Sequence, residues 1–204
     1  MQEDALQESR FSCNGNRIGK AVMQFALLWV LVGAGALLAG AQSRMSPNQD
    51  EQDGVSAGGR WLEFQSDDKM TGAKRTRFEL VANNYFREDP DFQPRVELFC
   101  SAGKLTGAEF NPGTRLGPPN RPGFWGQPQM EVRVRIDDSN HYQGWNWLRG
   151  HFLSMDKGTV RGLIGAQVFN VELRTASGTQ IAEFSPAGLH LDVVKQTCGL
   201  QPRK

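Results

Sequence analysis

The sequence is short of the residues from which reactive sites are usually built. Its 204 residues hold three cysteines and three histidines, and 23 basic against 22 acidic side chains leave a formal net charge of +1. A charge so close to neutral, with a pI near 7.7, argues against a nucleic-acid binder, which usually shows a basic face and a high pI. His141, His151 and His190 do not stand at HExxH spacing, and no two cysteines stand at CxxC spacing, so no metal site is expected. No GxSxG elbow, Walker loop or GxGxxG turn is present, which leaves no signal for an activated serine, a bound nucleotide or any other cofactor. Asp137-Asp138-Ser139-Asn140 resembles the start of a cation loop but lacks the glycine and distal glutamate of an EF-hand. It reads instead as a turn that ends a strand.

A long hydrophobic run occurs once. Residues 25–41 read FALLWVLVGAGALLAGA, after Arg17 and Lys20 and ending in Ala39-Gly40-Ala41. The small-x-small ending suits a signal peptide cut between Ala41 and Gln42. About 17 apolar residues also lie at the lower limit for a span, and the long leader with Glu3, Asp4 and Glu8 suits a retained single-pass anchor over residues 21–41. The upstream Arg and Lys keep the N-terminus inside in either case. The rest of the chain is therefore expected in the periplasm, either released or tethered to the inner membrane, with the N-terminal segment meeting the membrane. Cys13, in the leader, reads as an incidental thiol. Residues 42–60, QSRMSPNQDEQDGVSAGGR, have no apolar periodicity and read as a flexible linker.

Residues 61–204 then form one domain, of the size that builds its own core. Alternation recurs along it: Phe78, Leu80 and Ala82; Val96, Leu98 and Cys100; Val132, Val134 and Ile136; Phe169, Val171 and Leu173. Each set shares one face of a strand, and in the last two sets every residue between is charged or polar. A turn at Thr175-Ala176-Ser177-Gly178 leads into a returning hairpin strand, residues 180–184. One wet face per strand favours antiparallel pairing. The expected fold is mainly β, an antiparallel β-sandwich or open barrel, closed by one C-terminal helix. That helix is expected to begin at the Ser185-Pro186 cap, to bury Leu191, Val194 and Cys198, and to stop at Gly199.

An oxidising compartment and two remaining cysteines suggest a bridge between Cys100 and Cys198; the alternative is two buried thiols. Closing so long a loop would stabilise the fold by about 4 kcal/mol in the chain-entropy model. Two aromatic pairs are candidate binding residues. Residues 111–129 hold five prolines and four glycines, which excludes a central strand and makes a surface loop carrying Phe124 and Trp125. That loop serves as a contact surface or covers a sheet edge. Trp145 and Trp147 share one face of a strand, as a stacking platform for a sugar ring or as core. A cell-wall hydrolase would need an acid/base pair in a cleft, for instance Asp137 with His141, which are close in sequence.

Several segments together resemble the VasI-like (TagO-like) family of type VI secretion-associated periplasmic proteins. Trp61, followed by Ser66-Asp67-Asp68-Lys69-Met70-Thr71-Gly72, is similar to the family's opening tryptophan and acidic segment. The strand 94–100 ending in Cys100, Val134-Arg135-Ile136-Asp137 with Trp145 and Trp147, and Phe184 with Gly188-Leu189 and Cys198 follow in the family's order. The resemblance spans Trp61 to Cys198. It implies an exported, sheet-rich envelope accessory or binding protein that is not an enzyme, with a secretion-system or other envelope protein as partner. Peptidoglycan is the alternative ligand. The proline-rich loop and the long leader depart from the family pattern.

Overall fold

A computed structural model describes residues 53–87 and 89–202. The apolar run, its expected cleavage point at Ala41 and Gln42, Cys13 and residues 42–52 of the expected linker lie outside the described residues. Among the described residues, no helix is long and apolar enough to cross a membrane.

The described residues form eleven strands and two helices in the order β1 (Val55–Gly58), β2 (Trp61–Asp67), β3 (Lys74–Val81), β4 (Arg95–Ser101), β5 (Lys104–Asn111), β6 (Arg121–Pro122), β7 (Pro128–Ile136), β8 (Ser139–Leu148), β9 (Phe152–Ser154), α1 (Lys157–Leu163), β10 (Phe169–Thr175), β11 (Gly178–Phe184) and α2 (Leu191–Cys198). The strands form one open antiparallel sheet in the order β1-β2-β3-β4-β5-β9-β8-β7-β10-β11, with β6 alongside β7. The mainly β, antiparallel expectation holds. The alternating sets that mark strands in the sequence are buried, Phe78 and Leu80 on β3, Val96, Leu98 and Cys100 on β4, Val132 and Val134 on β7, and Phe169, Val171 and Leu173 on β10, except that Ile136 at the end of β7 is only half-buried. Strands far apart in sheet order meet through these residues. Phe110 of β5 lies 6.1 Å from the ring of Phe184 on β11, and Phe184 lies 5.7 Å from Phe169. The inner face of a single curled sheet thus encloses the core. The edge strand β11 is covered as well: Asn83 donates its N–H to Glu183 O (2.6 Å), and the Asn84 amide bonds Ile181 O and the Glu183 N–H. An edge whose groups are already bonded does not recruit another chain.

The expected linker ends earlier than residue 60, because β1 forms within it. Val55 pairs with Glu63, and Gly58 with Trp61. A strand pairs through its backbone, so a polar, glycine-rich stretch can add to a sheet edge without any apolar alternation. Its glycines serve close packing: a Cβ on Gly58, where φ is +99°, would lie 2.2 Å from Gly188 O.

The helices differ from expectation at three points. α2 starts after His190, five residues beyond Ser185, because His190 N–H is held by Ala57 O (2.9 Å) and 185–189 stays extended or turned. Leu191 is exposed, whereas Val194 and Cys198 are buried and Gly199 closes the helix at φ +64° as expected. α1 is an additional helix. Asp156 caps it, accepting from the Thr159 N–H at 2.9 Å. Two glycines in seven residues weaken its helix propensity, which hides it from a sequence pattern. Gly162 is there because a Cβ would lie 2.8 Å from Ile136 Cδ1.

The outward face of β3–β5 is less wet than alternation implies. Glu79, Glu97 and Glu109 stand directly opposite one another across three strands, and Glu79 is buried. Like charges in such a row repel. Arg77, bonded to Glu79 and Glu97, and Arg95, bonded to Glu79, compensate. Each guanidinium also sits over a ring, Arg77 over Phe64 at 4.0 Å and Arg95 over Phe92 at 4.3 Å. Burial pushes the Glu97 and Glu109 carboxyls above the ordinary range, against the pull of Arg77 and Arg149 respectively.

Candidate contact site

Cys100, on the inward face of β4, meets Cys198 at the end of α2 in a disulfide with a Cα–Cα distance of 5.1 Å. Both residues are buried, and α2 packs across β4 and β5. The bridge fixes the last helix to the sheet.

The two aromatic pairs part company. Trp145 is 1% exposed, its ring 6.1 Å from Phe110. Its Nε1 donates to Gln143 Oε1 (3.1 Å), and the Thr159 hydroxyl lies within hydrogen-bond reach of that oxygen and of Asp156 Oδ2. Trp147 is half-buried against the same core and donates to Gly117 O (3.1 Å). Neither forms an exposed platform. Trp145 is a core residue and Trp147 packs half-buried against that core, which favours the core alternative for this pair.

Phe124 and Trp125 are 89% and 86% exposed. They crown a tight turn between β6 and β7, where Pro122 pairs with Pro128 and Arg121 with Gln129. The turn is bonded within itself: Gly123 N–H to Gln127 O (2.8 Å), Gly126 N–H to Gly123 O (2.9 Å), and Trp125 N–H to Gln127 Oε1 (2.9 Å). The two rings meet edge to face with centroids 4.8 Å apart. The remainder of the loop is tied down, with Gly117 N–H on Arg174 O (2.9 Å) and Leu116 bridged to Thr175. The first half of the loop therefore pairs with the C-terminal end of β10, beyond the residues that pair with β7, and the second half holds the aromatic pair in solvent.

Asp137 sits in the β7–β8 turn at φ +48°. Its Oδ1 accepts from the Gln167 and Val168 N–H groups, at 2.8 and 3.0 Å. His141 lies four residues on, opposite Val134. The carboxylate is engaged in fastening the segment before β10, and the acidic turn seen in the sequence is the hairpin turn expected there. Among the described residues, no group of three or more His, Cys, Asp or Glu side chains could hold a metal ion.

Sequence patterns do not reveal a groove of about 780 Å³ beside the β2–β3 turn, lined by Asp67, Asp68, Lys69, Arg75, Phe99 and Thr106 among others. Asp68 organises its wall. Its Oδ1 accepts from the Met70 and Thr71 N–H groups, at 2.8 and 3.1 Å, and its Oδ2 pairs with Arg75. Those backbone bonds, then Arg75, hold the Asp68 carboxyl below its ordinary range. Asp68 and Arg75 thus satisfy each other in the groove wall. An Asp with a turn two to four residues on was the only available hint.

Compared with known proteins, the chain matches no family model, no curated protein and no solved structure.

Proposed function

We propose that this protein is an exported, non-catalytic binding protein of the cell envelope, held in or released into the periplasm, that engages its partner through the Phe124–Trp125 turn. The observation that carries this reading is the exposure of two adjacent large aromatics on a turn that is internally bonded and bounded by prolines. Aromatic side chains supply most contact energy at interfaces, and a pre-formed turn loses little entropy on docking. The disulfide is compatible with an oxidising compartment. The resemblance to VasI-like proteins supports a partner within a secretion or envelope assembly.

The test is affinity capture of envelope components by the wild type and by a Phe124→Ala/Trp125→Ala variant. The variant should fold and lose its partners. Equal capture by both would place the contact elsewhere. A peptidoglycan-binding module is the second reading, supported by the accessible Trp125 ring, since Trp145 is buried and Trp147 half-buried. Quenching or shift of Trp125 emission by peptidoglycan fragments would support it. The cell-wall hydrolase reading has weaker support, since Asp137 Oδ1 is occupied by backbone N–H groups.

A further inference from the structure

We propose that the partner of the Phe124–Trp125 turn is the anionic bilayer interface itself, the turn inserting its two rings at the headgroup–acyl boundary. The inference rests on the reading of this turn as the contact site and names what it contacts. Three observations point to lipid.

The first is shape. Two rings 86–89% exposed stand on the turn that joins β6 to β7 and meet each other edge to face. Such an exposed aromatic pair suits a surface that yields around it, and Trp in particular favours the membrane–water interface, with its apolar ring and its single N–H donor.

The second is the backbone. An unpartnered N–H is costly wherever water is depleted. Gly123, Trp125 and Gly126 donate within the turn, and Pro122 and Pro128, at its neck, carry no N–H at all, so these positions lose little when water is displaced.

The third is charge. Between Glu109 and Glu131 there is no aspartate or glutamate, and the only formal charges are Arg115 and Arg121. Arg121 is exposed directly below the turn. A carboxylate near the rings would resist insertion, whereas arginine at this depth pairs with anionic headgroups.

The experiment uses the full chain in proteoliposomes containing phosphatidylglycerol and acyl-brominated phospholipid, in a Trp29→Phe background that silences the tryptophan of the apolar run. Bromine quenches an indole only within contact range, and Trp61 and Trp145 are enclosed in the core. Part of the emission should be quenched, and that part should vanish when Trp125→Phe is added. It should also fall by at least half in vesicles of phosphatidylcholine alone or with Arg121→Gln. No quenching, or quenching that survives Trp125→Phe, overturns the lipid assignment. If envelope protein capture still depends on Phe124 and Trp125 while bromolipid leaves Trp125 untouched, the turn grips a protein, and only this inference fails. If neither occurs, the contact-site reading fails with it.

Discussion

Two aromatic pairs, Trp145/Trp147 and Phe124/Trp125, belong to neighbouring strands and have opposite fates. β8 carries the first pair and hydrogen bonds along β7, which grows directly out of the turn that carries the second. Trp145 is 1% exposed and Trp125 86%. Residue type cannot account for the difference. Spacing and neighbours can. Residues two apart on a strand project the same way, and the inward row of β8 faces Phe110 and Leu153. Adjacent aromatics between Pro-Gly and Gly-Gln cannot both turn inward, and the prolines on either side end the pairing that would carry them into the sheet. The first pair is held by burial, the second is held up by its backbone.

The largest expected effect is on the buried side. Trp145→Ala removes a fully enclosed indole and leaves a cavity against Phe110, at a cost of about 3–5 kcal/mol. Against a typical stability of about 5–15 kcal/mol, this should lower the urea midpoint steeply in equilibrium unfolding. A loss under about 1 kcal/mol would mean that the indole is not packed as described.

A smaller effect should come from Asp156. It caps α1 and, with Thr159, braces the Gln143 that receives the Trp145 N–H. Asp156→Ala should cost about 0.5–2 kcal/mol, the usual range for losing a cap. Partial burial would raise the Asp156 carboxyl, but the Thr159 hydroxyl and the Thr159 and Gly158 N–H groups outweigh it and hold it below the ordinary range. Because the folded value is depressed, the ionised cap stabilises above the ordinary aspartate range, and that contribution is lost as pH falls through the depressed value. The stability gap between wild type and Asp156→Ala, measured by denaturation at stepped pH, should narrow in that acid window. A gap independent of pH would show that the cap does not depend on its charge.

The legible parts of the sequence were those governed by short-range geometry. Alternation at Val96, Leu98 and Cys100 marked both the strand and the inward direction of the cysteine, and the proline density of 111–129 marked the exposed turn. Features set by contacts distant in sequence were not legible. β1 adds to the sheet through backbone pairing and has no side-chain period to betray it. α1 is nucleated by a cap and carries two glycines because Ile136 presses on it. The row of Glu79, Glu97 and Glu109 exists only once β3, β4 and β5 pair, so no local pattern shows three carboxylates sharing one face with Arg77 and Arg95. The Asp68 groove needs β2, β4 and β5 to meet before it exists. Trp145 and Trp147 left two outcomes open for the same reason: a strand face is a core only when another layer lies on it.

The smallest expected effect is on the exposed pair, and it is the sharpest test of the contrast. Phe124→Ala/Trp125→Ala removes two large rings, yet each has nearly all its surface in water already, so folding gains little from them. Their mutual edge-to-face contact is worth at most about 0.5–1.5 kcal/mol in a buried setting, and less where water competes for both rings. The double variant should therefore unfold within about 0.5 kcal/mol of the wild type, the usual range for surface changes. In the Trp29→Phe background, acrylamide should quench a water-exposed emission component that disappears with Trp125→Phe and persists with Phe124→Ala. A loss of more than about 1.5 kcal/mol in the double variant would show that the turn is a structural clasp on the edge of β10, and both functional assignments of the turn would lose their basis.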